Sequence, residues 1–172
     1  HQRSLDSLEN LWAWVDLMLS HLLLAAGGKP TLLQTIQAAG LTTNLKVCLD
    51  ASDPASYTSG QKWLDISGNG YDFFLGVDVN ATATDPTFTG NVGAYNAYWL
   101  FDGGDLFLYD TTNETWMENL HKDNAVFSIV VFHYPVVTSL VYPFSTAQIA
   151  TEIGLRATVG TAGHQLLVVD GS

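Results

Sequence analysis

The segment Trp63-Leu-Asp-Ile-Ser-Gly-Asn-Gly70 opens on a large aromatic and closes on residues suited to a tight turn. Ser67-Gly-Asn-Gly70 tolerates positive φ, and Trp63 can anchor the edge of that turn. The Asp65 carboxylate stands where it can accept hydrogen bonds from the turn's backbone amides. The ordinary role for Trp63, Asp65 and Asn69 is therefore to hold a loop. Outward from this loop the chain keeps one grammar, short apolar or alternating runs divided by turn residues. The runs are Leu45 to Leu49, Asp72 to Leu75, Ala97 to Phe101, Leu106 to Tyr109, Ala125 to His133, Leu140 to Phe144, Ile153 to Val159 and Gln165 to Val169. Many short strands with Gly, Asn and Asp between them indicate a sandwich or jelly roll. No repeat of roughly 20–50 residues is visible, which argues against a propeller or solenoid.

Composition agrees with a sheet. Charged residues make up 13% of the 172 residues, about half the usual share, while Thr, Val, Gly and aromatics are plentiful. Six Lys and Arg against 17 Asp and Glu give a net charge of −11, so no basic surface exists to neutralise a phosphate backbone or an anionic lipid surface. Nucleic acid is thereby a poor partner. The single cysteine, Cys48, sits in an apolar run and reads as a buried, inert thiol.

Residues 1–40 follow a different period. Leu5, Leu8, Trp12, Val15, Leu19, Leu22 and Ala26 recur at alternating three-four spacing and would line one seam of a helix. Ser4 can cap its start, and Gly27 and Gly28 end it. Pro30 suits the first turn of a second, shorter helix running through Leu32, Leu33 and Ile36 to Gly40. The expectation is a helical hairpin. Because Leu11, Trp14, Leu17, Met18, Leu23 and Leu24 lie off the seam, the first helix must be covered on most of its circumference. Copies of the chain or another subunit are the favoured cover, with packing on its own sandwich as the alternative. The apolar stretch from Leu11 to Ala26 contains Asp16, Ser20 and His21 and falls short of the roughly 20 residues of a membrane span. His21 has no second ligand one turn away and reads as an ordinary interface histidine.

Several motifs then stand in a specific order. These are Leu45-Lys-Val-Cys-Leu-Asp-Ala-Ser-Asp-Pro-Ala-Ser-Tyr57, Trp63 to Gly70, Pro86-Thr-Phe88, Trp99-Leu-Phe-Asp-Gly-Gly-Asp105 and Phe127-Ser-Ile-Val-Val-Phe132. In that order and spacing the chain resembles the concanavalin-A-like lectin/glucanase superfamily, more narrowly the laminin-G-like modules of bacterial surface and phage virion proteins. The similarity is close over residues 44 to 134, loose over 135 to 172 and absent from 1 to 40. It implies an antiparallel β-sandwich, a jelly roll, over residues 41–172 behind the 1–40 assembly segment. Family members continue past the strand that would end at Val169, so the sandwich is expected to be incomplete at Ser172. Continuation of the protein is favoured over completion by another chain, since open central strands would leave a row of unpaired amides.

The glucanase branch needs two carboxylates roughly 5 Å apart, and no Glu-x-Asp-x-x-Glu pattern occurs. The glutamates are Glu9, Glu114, Glu118 and Glu152, of which Glu114 and Glu118 flank Trp116 and read as solvated acids. A phosphate-cradling loop, a Gly-x-Ser-x-Gly elbow and a His or Cys pair at zinc spacing are also missing. His121, His133 and His164 are scattered. No enzyme activity and no cofactor are expected. The best small site is a calcium site at Asp102, Asp105 and Asp110 beside one strand turn, because hard cations take loop carboxylates and carbonyls. Asn80-Ala-Thr82 and Asn113-Glu-Thr115 fit the glycosylation pattern, which matters only in a eukaryotic secretory route.

The resemblance thus implies a non-enzymatic structural protein on the surface of a tailed-phage virion, a head fibre, decoration or tail-fibre component. The assembly interface would be Leu5, Leu8, Trp12, Val15, Leu19 and Leu22, meeting homo-oligomer partners or other virion subunits. The displayed module would meet cell-surface glycans. An extracellular adhesion protein is the alternative, and a glycosidase with acids outside this region the third.

Overall fold

The computed structural model describes residues 29–109, 116–117, 120, 124–134, 141–146, 154–160 and 163–169. The protein is mainly β, its strands pair antiparallel, and it divides into two compact units, His1–Asp110 and Thr111–Ser172.

Among the described residues of the first unit, one helix precedes the strands. Helix α1 (Leu32–Ala38) falls where the second, shorter helix is expected. The first arm of the expected hairpin, from Leu5 to Ala26, lies outside the described residues. Thr31 is the N-cap and forms a capping box with Gln34, so Pro30 stands before the helix rather than in its first turn. The reason is chemical, since the Thr31 hydroxyl accepts from the Gln34 amide, which a proline at that position could not arrange. At the other end Gly40 adopts φ +69°. Its amide bonds the Gln37 carbonyl while Leu41 bonds Ile36, the paired closure that ends a helix on glycine.

Strands β1 (Lys62–Trp63), β2 (Phe73–Leu75) and β5 (Phe107–Tyr109) form a three-stranded sheet in the order β1-β2-β5. Trp63 faces Phe73, which faces Tyr109, and Leu75 faces Phe107. Period two therefore puts Trp63, Phe73, Leu75, Phe107 and Tyr109 on one face and Lys62, Phe74 and Leu108 on the other. A second sheet pairs β3 (Thr87–Thr89) with β4 (Tyr98–Leu100), placing Phe88 opposite Trp99. The rings of Trp63 and Phe107 lie 4.8 Å apart, those of Trp99 and Phe107 5.2 Å, and those of Trp63 and Trp99 5.7 Å. Tyr57 joins them at 4.5 Å from Trp99 and 4.9 Å from Phe88. Tilted and edge-on rings at this spacing are the favoured aromatic arrangement, and they make the core where the two sheets meet.

The second unit is built on β6 (Val141–Ser145), β7 (Gly154–Gly160) and β8 (Gly163–Val169), in that order. Strand β7 is central, and its neighbours Leu155 and Arg156 are both buried although they point to opposite faces. A register shift separates Val141 from Phe144, where Pro143 lacks the amide a regular ladder would require. Arg156 stacks its guanidinium 5.0 Å from the Tyr142 ring centre.

Two expected strands differ. Leu45 to Leu49 is not a ladder strand: its backbone is held by the side chains of Asp65, Ser67 and Asn69 and by the Ile66 amide on the Cys48 carbonyl. Ala125 to His133 carries no ladder partner among the described residues and is largely exposed. Strands β1 and β3 went unexpected.

Candidate functional site

The polar chemistry of the first unit is concentrated in turns, each closed by one carboxylate. Asp65 does the most. Its Oδ1 accepts from the Cys48 amide at 2.8 Å and the Ser67 amide at 2.9 Å. Its Oδ2 accepts from the Ser67 hydroxyl at 2.7 Å and the Tyr71 amide at 3.1 Å. Asn69 completes the turn by donating from Nδ2 to the Leu45 and Lys46 carbonyls, 2.9 Å each. The turn Ser67–Gly70 is thus clasped to a segment more than twenty residues earlier in the chain. Gly68 and Gly70 take φ +95° and +76°, the left-handed backbone that the sequence demands there.

A second clasp is formed by Asp50 and Ser56. Asp50 Oδ1 accepts from the Ser52 amide and hydroxyl, while Oδ2 accepts from the Leu32 amide at 3.0 Å. The carboxylate therefore satisfies one of the open amides at the start of α1. Ser56, fully buried, accepts from the Asp50 amide and donates to the Leu64 carbonyl at 2.7 Å. Cys48 lies between the two clasps at 3% exposure. Burial, with added repulsion from Asp50, Asp65 and Asp53, pushes its thiol from 9.0 up to about 11, so the thiolate that reacts with oxidants or metals is suppressed.

The third cluster surrounds Asp85, whose carboxylate accepts from the Thr82 amide and hydroxyl. Thr82 and Thr84 share a hydroxyl bond of 2.8 Å. Buried Gly76 at φ +70° lies against this group, and a Cβ there would collide with the Asp85 carboxylate and the Thr84 hydroxyl. Neither Asp50 nor Asp85 stands out in the sequence, because their partners are distant or are plain hydroxyls. The run Thr82-Ala-Thr-Asp85 is the nearest thing to a signal, short polar side chains suited to turning back on their own backbone.

Of the expected calcium residues, Asp102 and Asp105 are brought together at the turn after β4. Asp105 Oδ2 accepts from the Asp102 amide at 2.8 Å, and Asp102 Oδ1 accepts from the Gly104 amide at 3.0 Å. Desolvation raises the Asp105 pKa and the charges of Asp102 and Asp85 add to it, against the lowering effect of the Asp102 amide. Asp110 lies outside the described residues. Among the described residues no three His, Cys, Asp or Glu side chains gather as a metal ion would require. The assembly seam Leu5, Leu8, Trp12, Val15, Leu19 and Leu22 lies outside the described residues, as do His121 and all four glutamates. His133 is exposed, and His164 sits in β8 opposite Val159.

The surface of the β3–β4 hairpin is aromatic and apolar. Tyr98 and Leu100 are 51% and 54% exposed on its outer face. Tyr95, just before β4, is 72% exposed, and the Lys29 ammonium sits 4.1 Å from its ring centre. Among the described residues no helix is long and apolar enough to cross a membrane. Comparison with protein-family models, with curated proteins and with solved structures finds no match for the chain.

Proposed function

We propose that the chain is a non-enzymatic surface protein of a tailed-phage virion, a head fibre, decoration or tail-fibre component, displaying a concanavalin-A-like jelly-roll module that meets cell-surface glycans. One observation carries the reading. Four of the five motifs on which the resemblance rests, distant along the chain, meet one another in the first unit. Cys48 of the first motif is held by Asp65 of the second, Tyr57 packs tilted on Phe88 of the third and edge-on against Trp99 of the fourth, and Trp63 packs on Trp99. A set of residues that meets in this way forms one structural unit rather than a chance succession of short patterns. The carboxylates of Asp50, Asp65 and Asp85 close turns, which suits a rigid display scaffold. The exposed rings of Tyr95 and Tyr98 are the groups on which a sugar's apolar face would stack.

Gold-labelled antibody against the purified chain should decorate intact particles at their surface. Chain found only free in the lysate, with bare particles, would sink the virion reading. Binding to a glycan array should fall when Tyr95 or Tyr98 becomes Ala; undiminished binding removes those rings from the site. The assembly role of residues 1–40 is tested by Leu19→Asp. Loss of one large seam residue costs on the order of 2–5 kcal/mol per chain, enough to reduce incorporation more than about tenfold. Normal incorporation with an unchanged sheet signal in circular dichroism would end that role.

A further inference from the structure

We propose that Asn69–Gly70 is a deamidation site gated by its own clasp, a latch that can open reversibly but, once converted, does not close again. Asn69 is the one asparagine in the chain followed by glycine. The next residue therefore has no side chain to hinder attack by its backbone nitrogen. Both residues are exposed, and a Cβ built on Gly70 would meet nothing within 4 Å, so the peptide is open to solvent. In the reaction the Gly70 nitrogen bonds to the Asn69 side-chain carbonyl carbon. The C–Nδ2 bond breaks, and ammonia leaves with the proton from the Gly70 amide. Water then opens the resulting succinimide at either carbonyl, giving aspartate or isoaspartate.

What restrains the reaction is the leaving group's own bonding. Nδ2 stands 2.9 Å from each of three acceptors, the Leu45 and Lys46 carbonyls and the Ser67 hydroxyl. Ring closure needs the amide to swing toward Gly70, so those bonds must first be released. The product has no donor left. Its carboxylate would confront two carbonyl oxygens at the places where the amide hydrogens were, and the clasp between the turn and residues 45–46 could not re-form. Isoaspartate would in addition lengthen the backbone of a turn whose glycines already hold φ +95° and +76°.

The test incubates the full chain at mildly alkaline pH and follows the amide-to-acid mass change by peptide mapping. Isomerisation at Asp102–Gly103 leaves mass unchanged and does not interfere. The folded chain should convert more than about tenfold slower than the urea-unfolded chain, the ratio reporting local opening. Ser67→Ala, which removes one acceptor, should convert at an intermediate rate with its sheet signal intact. Should that variant fail to fold, wild type in sub-denaturing urea supplies the same comparison, with the rate rising before global unfolding. Asn69→Asp should melt below wild type. Equal rates in folded and unfolded chains overturn the gating, and an unchanged melting temperature for Asn69→Asp overturns the latch.

Discussion

Residues 45–72 and residues 124–134 use the same backbone in opposite ways. The first stretch is poor in regular strand, yet the side chains of Asp50, Ser56, Asp65, Ser67, Asn69 and Asp72 fasten it to itself and to α1. The second is rich in the β-branched and aromatic residues that strands prefer. Even so, Val126, Val130, Phe132 and Tyr134 stand 98%, 74%, 83% and 90% exposed, and no ladder partner for them occurs among the described residues. Among the described residues the contrast separates propensity from pairing. A segment is fixed by partners within reach, and in the first stretch those partners are carboxylates acting at short range. Apolar β-formers need a neighbouring strand before their preference counts.

Removing the hub is the severest way to break that contrast. Asp65→Ala leaves the amides of Cys48, Ser67 and Tyr71 without their acceptor. At about 1–3 kcal/mol for an unsatisfied buried donor, and with partial rescue by water, the loss should be about 3–5 kcal/mol by denaturant titration. A loss under about 1 kcal/mol would mean that the turn is held by its glycines alone. Gly76→Ala comes next. Positive φ costs roughly 1–2 kcal/mol and overpacking 1–3, so a fall of about 2–5 kcal/mol is expected. Asp85→Ala in the same chain should recover part of it by clearing the obstructing carboxylate.

The pH dependence around Cys48 is smaller and its sign is fixed. The thiol's pKa is raised on folding, so its neutral form stabilises the native state below 9.0 and that contribution is lost as pH rises toward about 11. The stability difference between wild type and Cys48→Ala should shift in favour of the variant across that interval, and a flat difference would show that the thiol is not desolvated. The least effect belongs to the open stretch. Val130→Lys should change stability by no more than about 0.5 kcal/mol, as at other exposed positions. A loss several times larger would show that Val130 is covered, and would collapse the distinction between the two regions.

Much of the first unit was legible in the residues. Strands β2, β4 and β5 follow the alternation read from Asp72, Ala97 and Leu106, and β6, β7 and β8 overlap the expected runs. The loop-holding role of Asp65 and Asn69 could be read because turn glycines and a nearby acid signal each other locally, whereas Trp63 packs on Trp99 and Phe107 rather than on the turn. Asp50 could not be read as a cap for Leu32, since the two are eighteen residues apart and only the fold brings them together. Strand β1, only two residues long, is too short to carry a period. Ala125 to His133 shows the reverse failure, with a strong local pattern and no ladder among the described residues. At the candidate calcium turn, spacing brought Asp102 and Asp105 together but did not reveal that both carboxylates serve local backbone amides.

The bond from the Leu32 amide to Asp50 has a mechanical meaning. A protein held through its amino-terminal segment and loaded at its displayed end would transmit tension into α1 before any described strand. That helix has no fully buried side chain, and Asp50 ties its first turn to the body of the unit. Under load the tie and the helix should yield first, releasing Thr31 to Asn44 as a tether about 50 Å long at roughly 3.5 Å per residue. On the proposed anchoring through the amino-terminal segment, the clasped turns and aromatic core would stay intact while the tether lengthened, and the short helix would take up the load first.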